Sequence, residues 1–378
     1  HGRIMKHIAV NTRLLLGGRL EGIGRFASEV LQRMVARNPD VRFSFFFDRP
    51  YDSGFLFGEN VEAIVLPPQA RPPLLWYAWF HVMLRHKLDR LRPDVFFSPE
   101  FYRSSHPSIP QVPVFHDLAY EHYPQDLPRF ASWYCRRYSP RYARRADQLL
   151  TVSEYSKQDI VSRYCIAPEK ISVVYNGVSA RFRPVPEAEQ QAARAQYAGG
   201  APFFHFVGAI HPRKNIENLL RAFDHFKQAH PSPVKLLIVG RKGWRYAGAM
   251  EVYEHMTHRD AVVFTGYVPD EALSSLYAAS LGLCYVPYLE GFGIPILEAM
   301  HSETAVICSG VSAMPEVAGD AALLVDPFSV PEIAGAMAQL YHQPALRLAL
   351  IGKGRVQREQ FSWDLTYEKV WKVLSGYL

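Results

Sequence analysis

Two glutamates, Glu290 and Glu298, stand eight positions apart in the run Glu290-Gly291-Phe292-Gly293-Ile294-Pro295-Ile296-Leu297-Glu298-Ala299-Met300. The apolar stretch Leu281 to Pro287 leads in and reads as a strand, and Ile294 to Met300 leads out and reads as a helix. Glycine lets a backbone approach a ligand closely. Pro295 suits the first turn of a helix, and a helix start offers N–H groups and a positive dipole end to an anion. Glu290 falls before the turn and Glu298 about one helical turn beyond it. Residues of these types in this order can hold a diphosphate on main-chain amides while a carboxylate on either side takes hydroxyls. That grip suits a nucleotide sugar, with one glutamate on the sugar and the other on the ribose. The plain alternative is a strand-turn-helix with two solvated glutamates.

A second cluster points to the same chemistry. Val207-Gly208-Ala209-Ile210-His211-Pro212-Arg213-Lys214-Asn215 follows an apolar strand and runs into a helix. Arg213 offers a planar fork and Lys214 a point charge, a pair suited to a diphosphate and to the charge that builds on a leaving nucleoside diphosphate. As a solvated pair at a helix start they would oppose the helix dipole. Nearer the amino terminus, Gly17-Gly18-Arg19-Leu20-Glu21-Gly22-Ile23-Gly24-Arg25-Phe26-Ala27 follows the first strand; Gly22 and Gly24 permit a tight loop against a helix start. It meets the dinucleotide fingerprint only loosely, with Ala27 in the third glycine's place, and Asp48 ends the next strand where an acid could hold a ribose. An NAD-dependent dehydrogenase therefore stays open, although the first loop is long. His116-Asp117 closes a further strand and places polar groups at its carboxyl end; a histidine bonded to nearby backbone is the alternative. No Asp-x-Asp and no metal-ligand spacing occurs, so no metal is expected at a diphosphate.

The Glu290–Glu298 spacing resembles the E-x7-E motif of the retaining family 4 glycosyltransferases, and the likeness runs through nearly the whole chain, most closely from Val207 to Val325. It implies the glycosyltransferase-B fold and transfer of a hexose from a nucleotide diphosphate sugar to an acceptor hydroxyl with retention, the donor's own phosphate oxygen assisting. By resemblance, Gly22 and Gly24 lie beneath the donor phosphates, His116 touches the donor sugar, and Glu290 holds its hydroxyls. Gly208 and the segment Gly291, Phe292, Gly293 and Ile294 meet the donor, Glu298 takes the ribose, and backbone groups of Tyr267 and Val268 meet the nucleobase. The family often sets a basic residue directly after the strand-end glycine; here Ala209 stands there, so Lys214 takes most of that role with Arg213 compensating. Relatives with the His-Asp-Leu and Pro-Arg-Lys-Asn patterns look like mannosyltransferases of surface-polysaccharide assembly. GDP-mannose is thus the favoured donor over a UDP-hexose, and a saccharide or polyprenyl-diphosphate-linked saccharide the acceptor. No cofactor is implied.

Positioning such loops calls for parallel sheets whose strands end together. Short apolar runs alternate with helical patterns along all 378 residues, which predicts βαβ units and strands buried on both faces. The expected architecture is α/β: two doubly wound Rossmann-like domains facing a cleft, at 5–180 (acceptor) and 181–360 (nucleotide sugar), with a helix at 361–378 packing back on the first. The segment Ala180 to Gly200, with Pro184 and Pro186, changes character, and the boundary is placed there, near Asn176 to Pro186. Ile8–Val10 is too short a core for a signal peptide and Pro72–Leu84 too short for a membrane span. Cys135, Cys165, Cys284 and Cys308 lie far apart, as reduced thiols of a cytoplasm would. Residues 1–180 carry 24 Lys+Arg against 17 Asp+Glu, whereas 181–378 carry 18 against 19. The basic half, with aromatics between arginines from Trp133 to Arg145, suits an anionic membrane surface and a peripheral protein, or an ordinary helix with a solvated basic face. A non-catalytic module for anionic ligands is the remaining reading from another class; nucleic acid is not expected.

Overall fold

The computed structural model describes residues 5–18, 20, 22–241 and 246–378. The chain forms two compact units, His1–Asn176 with Ser362–Leu378, and Gly177–Phe361. Each is built on one parallel sheet.

In the first unit the strands are β1 (Lys6–Asn11), β2 (Val41–Phe47), β3 (Val61–Val65), β4 (Val95–Ser98), β5 (Gln111–Phe115), β6 (Leu149–Thr151) and β7 (Ile171–Val173), in the order β3-β2-β1-β4-β5-β6-β7. The intervening helices are α1 (Gly22–Arg37), α2 (Pro73–Ala78), α3 (Leu84–Leu91), α4 (Ala119–His122), α5 (Arg129–Arg145) and α6 (Glu154–Tyr164). Runs such as Phe45-Phe46-Phe47 and Val95-Phe96-Phe97 are buried because helices cover both sheet faces. Between β3 and β4 the chain forms α2 and α3 joined by a π turn, Trp79–Met83, rather than one continuous α-helix. Trp79 and Phe80 are both wholly buried, and the wider turn accommodates two adjacent inward rings; the Trp79 indole N–H donates to the Leu66 carbonyl at 2.9 Å.

In the second unit β8 (Phe203–Val207), β9 (Lys235–Val239), β10 (Val262–Gly266), β11 (Gly282–Tyr285), β12 (Val306–Ser309) and β13 (Ala322–Val325) take the order β10-β9-β8-β11-β12-β13. Its helices are α7 (Glu187–Ala198), α8 (Ile216–Ala229), α9 (Ala247–His255), α10 (Asp270–Ala279), α11 (Ile294–His301), α12 (Met314–Ala318), α13 (Val330–His342) and α14 (Pro344–Gln357). The Ala180–Gly200 stretch, whose composition differs from its surroundings, thus holds a helix directly after the expected boundary. α7 shows little amphipathic pattern because Ala193 and Ala198 are its buried residues. The division falls between Asn176 and Gly177, at the amino-terminal end of the expected stretch, because Phe182 is buried against Tyr277 and Arg183 exchanges hydrogen bonds with Ser274, both on α10. In both sheets the order reverses beside the first strand, at β1/β4 and β8/β11. Loops leaving the carboxyl ends of such strands diverge, which is where ligands of α/β sheets sit.

Helix α15 (Trp363–Leu374) returns to the first unit. Trp363 meets Phe26 edge-on at 6.2 Å, Asp364 pairs with Arg33 at 3.0 Å and with Arg37, and Asn38 bonds the Tyr367 hydroxyl at 3.0 Å. Among the described residues no helix is long and apolar enough to cross a membrane.

Candidate active site

Three neighbouring strands of the second unit end in glycines with positive φ: Gly208 after β8 (147°), Gly240 after β9 (143°) and Gly266 closing β10 (70°). A side chain at Gly240 is impossible without backbone movement, since its Cβ would lie 2.0 Å from the Gly208 carbonyl oxygen. The loops are laced together by Gly208 N–H to Val239 O, Gly240 N–H to Gly266 O and Ile210 N–H to Arg241 O, at 2.9 to 3.0 Å. They bring three stretches of main chain together at the carboxyl edge of the sheet.

The basic pair rises from that edge. His211 caps a 3-10 turn over Pro212–Lys214, its Nδ1 accepting from the Arg213 N–H at 3.3 Å. Asn215 then takes a left-handed backbone (φ 60°), and its buried Nδ2 donates to Val286 O at 2.8 Å and Pro327 O at 2.7 Å. With the Tyr288 N–H donating to Arg213 O at 3.0 Å, this fixes the loops after β8, β11 and β13 to one another. Lys214 is held most tightly. Its Nζ lies 2.5 Å from Glu290 Oε1 and 2.9 Å from the Tyr285 hydroxyl. Burial, followed by the Glu290 charge, pushes the Tyr285 phenol well up, so it stays neutral.

The two glutamates have separate supports. The Glu290 N–H donates to Ser312 Oγ at 3.1 Å. Gly293, at φ 99°, is the N-cap of α11, with Pro295 in its first turn. Gly291 and Phe292 are buried beside it, the Phe292 ring edge-on to Phe361 at 5.7 Å. Glu298 is only 7% exposed on α11 and accepts from the Tyr277 hydroxyl at 2.7 Å. Tyr277 itself is wholly buried, edge-on to His205 at 4.5 Å. Glu298 is therefore a braced side chain rather than a solvated one. At the end of β10, Val268 is buried, whereas Tyr267 is 60% exposed with the Arg241 guanidinium 4.9 Å over its ring.

The first unit carries the other candidates. Gly24 lies in the first turn of α1, where a Cβ would sit 2.7 Å from the Leu14 carbonyl oxygen, so glycine is required for the loop to pack on the helix. Gly22 opens α1, and a Cβ there would meet nothing within 4 Å. Arg19 and Glu21 of the same loop lie outside the described residues. His116 follows β5; its Nε2 is 2.8 Å from Pro99 O, which makes Nε2 the donor and leaves Nδ1 to accept. Burial, first among the causes, lowers its pKa, so the ring is neutral at pH 7. One nitrogen is thus committed to backbone, as the backbone-bonded reading of His116 has it. Asp48 is corrected. Its fully buried carboxylate accepts from the Ala70 N–H at 2.9 Å and from Arg49 at 2.7 and 2.9 Å, so it braces a loop and its burial closes it to a ribose. That removes the main support for a dehydrogenase.

Lys214 and Glu290, 76 positions apart in sequence, are brought into direct contact. The residues that sequence reasoning missed are the braces: Tyr277, Tyr285, Asn215 and Ser312 in the second unit. In the first, Arg13 pairs with Glu100 at 2.5 Å and Asn11 bonds the same carboxylate at 2.9 Å. Each brace sits near a strand end or on a covering helix and carries no motif of its own. Arg241, directly after a strand-end glycine, had a positional signal.

Residues 188–357 match the family model described as glycosyl transferases group 1, and residues 20–182 that of glycosyltransferase family 4. The chain is similar to the O-antigen chain mannosyltransferase B of Escherichia coli, 29% identical over 356 residues covering 91% of this chain and 93% of that one. It is 30% identical over 261 residues to the O-antigen chain mannosyltransferase RfbU of Salmonella typhimurium, covering 68% and 67%. Among solved structures, sucrose-phosphate synthase from Thermosynechococcus elongatus matches over 98% of both chains with TM-score 0.79 at 18% identity, a likeness of fold alone.

Proposed function

We propose, from the premise that this chain belongs to the family 4 glycosyltransferases, that it transfers mannose from GDP-mannose to a glycan or polyprenyl-diphosphate-linked saccharide with the anomeric configuration retained. Two of its relatives are named as O-antigen chain mannosyltransferases, which supports mannose as the sugar. The observation that carries the reading is the Lys214 ammonium, already oriented by Glu290 and Tyr285 at the switch point between β8 and β11. An arriving diphosphate would draw on Lys214, Arg213 and the N-terminus of α11, which together stabilise the charge that develops as the nucleoside diphosphate leaves. Those groups can act without a metal. Glu290 would hold sugar hydroxyls, Glu298 the ribose, and Tyr267 and Val268 the base. His116, neutral with Nδ1 as an acceptor, is the first unit's candidate for a sugar hydroxyl. The four cysteines are free thiols, which suits action in a reducing cytoplasm.

Calorimetric titration with GDP, UDP and ADP tests the donor, followed by turnover of GDP-mannose in the presence of EDTA. GDP should bind most tightly and hydrolysis or transfer should survive the chelator. Preference for UDP would replace the donor with a UDP-hexose, and failure of all three to bind would remove the reading.

A further inference from the structure

We propose that the outer face of α5 docks this protein on an anionic lipid bilayer. The inference rests on the surface of the first unit and not on the donor assignment. α5 carries six arginines and no acidic residue in its 17 residues. Phe130, Trp133, Arg137, Arg141 and Arg144 recur at i, i+3, i+7, i+11 and i+14, one stripe of a helix, and all five are exposed. Cys135, Ser139, Tyr142 and Ala143 on the other side are buried.

The amino-terminal end of the stripe is apolar. Phe130 and Trp133 are 54% and 51% exposed, and their rings stack at 5.4 Å against each other rather than against the core. The ridge continues from Trp133 to Tyr138 at 6.3 Å and from Tyr138 to Tyr77 of α2 at 5.8 Å. Leu74, one turn before Tyr77, is 70% exposed. Around this ridge lie guanidinium groups, with Arg141 5.8 Å over the Tyr138 ring. Arg136 is engaged by Glu121 at 3.4 Å, whereas Arg137 and Arg141 have no acidic partner among the described residues.

Bare cations call for an anionic partner, and stacked rings beside an aliphatic side chain call for an apolar one. A bilayer interface meets both at once: rings enter the boundary between headgroups and acyl chains while arginines meet lipid phosphates. Nucleic acid would account for the arginines and rings but gives Leu74 no role. The basic excess of residues 1–180 is of the sign that draws the unit to an anionic leaflet.

Flotation of the full chain with vesicles of phosphatidylcholine alone, and of phosphatidylcholine with an equal part of phosphatidylglycerol, tests this. The protein should float with the anionic vesicles and stay behind with the neutral ones. Arg137→Gln with Arg141→Gln should weaken binding roughly thirtyfold. Phe130→Ser with Trp133→Ser should weaken it by about tenfold or more and leave a residue of binding that high salt abolishes. All four positions are exposed, so melting temperatures should match the wild type, confirming intact folds. Lipids brominated along the acyl chains should quench the fluorescence of the wild type more than that of Trp133→Phe. Equal binding to both vesicle types, binding to neither, or ring variants that float like the wild type would overturn the proposal. So would single-stranded RNA that displaces the vesicles at equimolar amounts with no dependence on the rings.

Discussion

Replacing Glu290 by glutamine should tighten the binding of a bare nucleoside diphosphate while suppressing transfer. The Lys214 ammonium lies 2.5 Å from the Glu290 carboxylate, the side chains being 18% and 12% exposed. The pair thus presents no net charge to an arriving anion. Glutamine keeps an oxygen acceptor for Nζ and removes the negative charge, so the site gains one net positive charge. A unit charge about 5 Å from a phosphate contributes about 0.8 kcal/mol at the dielectric of water and about 3 kcal/mol at the effective value for groups near a protein surface. Both side chains keep some solvent contact, which favours the lower part of that range. A gain of about 1–2 kcal/mol is roughly five- to thirtyfold in Kd. Titration calorimetry of GDP at low salt reads it directly, and the gain should shrink at high salt. Transfer should fall by about a hundredfold or more, because the sugar hydroxyls lose a charged acceptor. A glutamine variant that binds GDP more weakly than the wild type would show that Glu290 does not restrain Lys214. The assignment of this cation to the diphosphate would then fail.

Glu298→Ala should weaken donor binding by about tenfold or more, the size of a lost charge-assisted hydrogen bond, and unchanged affinity would remove the ribose role. Tyr277→Phe, which takes away the 2.7 Å bond to Glu298, should raise the donor KM by a smaller factor with kcat nearly kept; a kcat effect alone would contradict a positioning role. Gly240→Ala should cost at least about 3 kcal/mol of stability in chemical denaturation, from a strained φ and a clash with the Gly208 carbonyl; a loss under about 1 kcal/mol would mean that the loops can part. Acid should destabilise both units, because burial above all pushes the pKa of His81 down to about 4 and of His205 down to about 3. The unfolded chain takes up these protons near pH 6.5 and the folded chain does not. Stability is therefore full above about 6.5 and declines as pH falls toward 4 and 3, by about 1.4 kcal/mol per pH unit per histidine. Calorimetric melting below neutral pH should follow that slope, His205→Leu should flatten it, and a slope unmoved by His205→Leu would refute the account.

The sheets were legible because their strands are short and apolar throughout. Phe203–Val207 and Lys235–Val239 lie where their side chains alone place them. Helices showed where amphipathic pattern was strong, as in α8, and failed where burial rests on alanine, as in α7. The π turn at Trp79–Met83 was hidden because two adjacent inward aromatics fit neither helical period nor strand alternation. In the candidate site, the residues offering charge and glycine announced themselves by type and spacing. Their braces did not. Tyr277 and Tyr285 are core aromatics without a motif of their own, and only the fold brings their hydroxyls to Glu298 and Lys214. Asp48 misled in the opposite sense: a strand-end acid looks alike whether it is vacant or bound to Arg49 and the Ala70 amide.

The braces bear on why the second unit should prefer a diphosphate to any other anion. A free lysine side chain carries about 2 kcal/mol of rotamer entropy, which a ligand must offset if it captures the ammonium from solution. At Lys214 the fold has already met that cost. Asn215 pins the loop, the Tyr285 hydroxyl fixes one direction of Nζ, and Glu290 fixes another. The remaining barrier is electrostatic, since an incoming group must compete with a carboxylate in contact with the cation. A carboxylate ligand gains little by exchanging places with Glu290. A diphosphate brings more negative charge, can reach Arg213 and the α11 amides at the same time, and leaves Glu290 free to turn to the sugar hydroxyls attached to it. On the proposed function the Lys214–Glu290 contact would work as a selective latch, opened by the ligand that supplies both the charge and the hydroxyls.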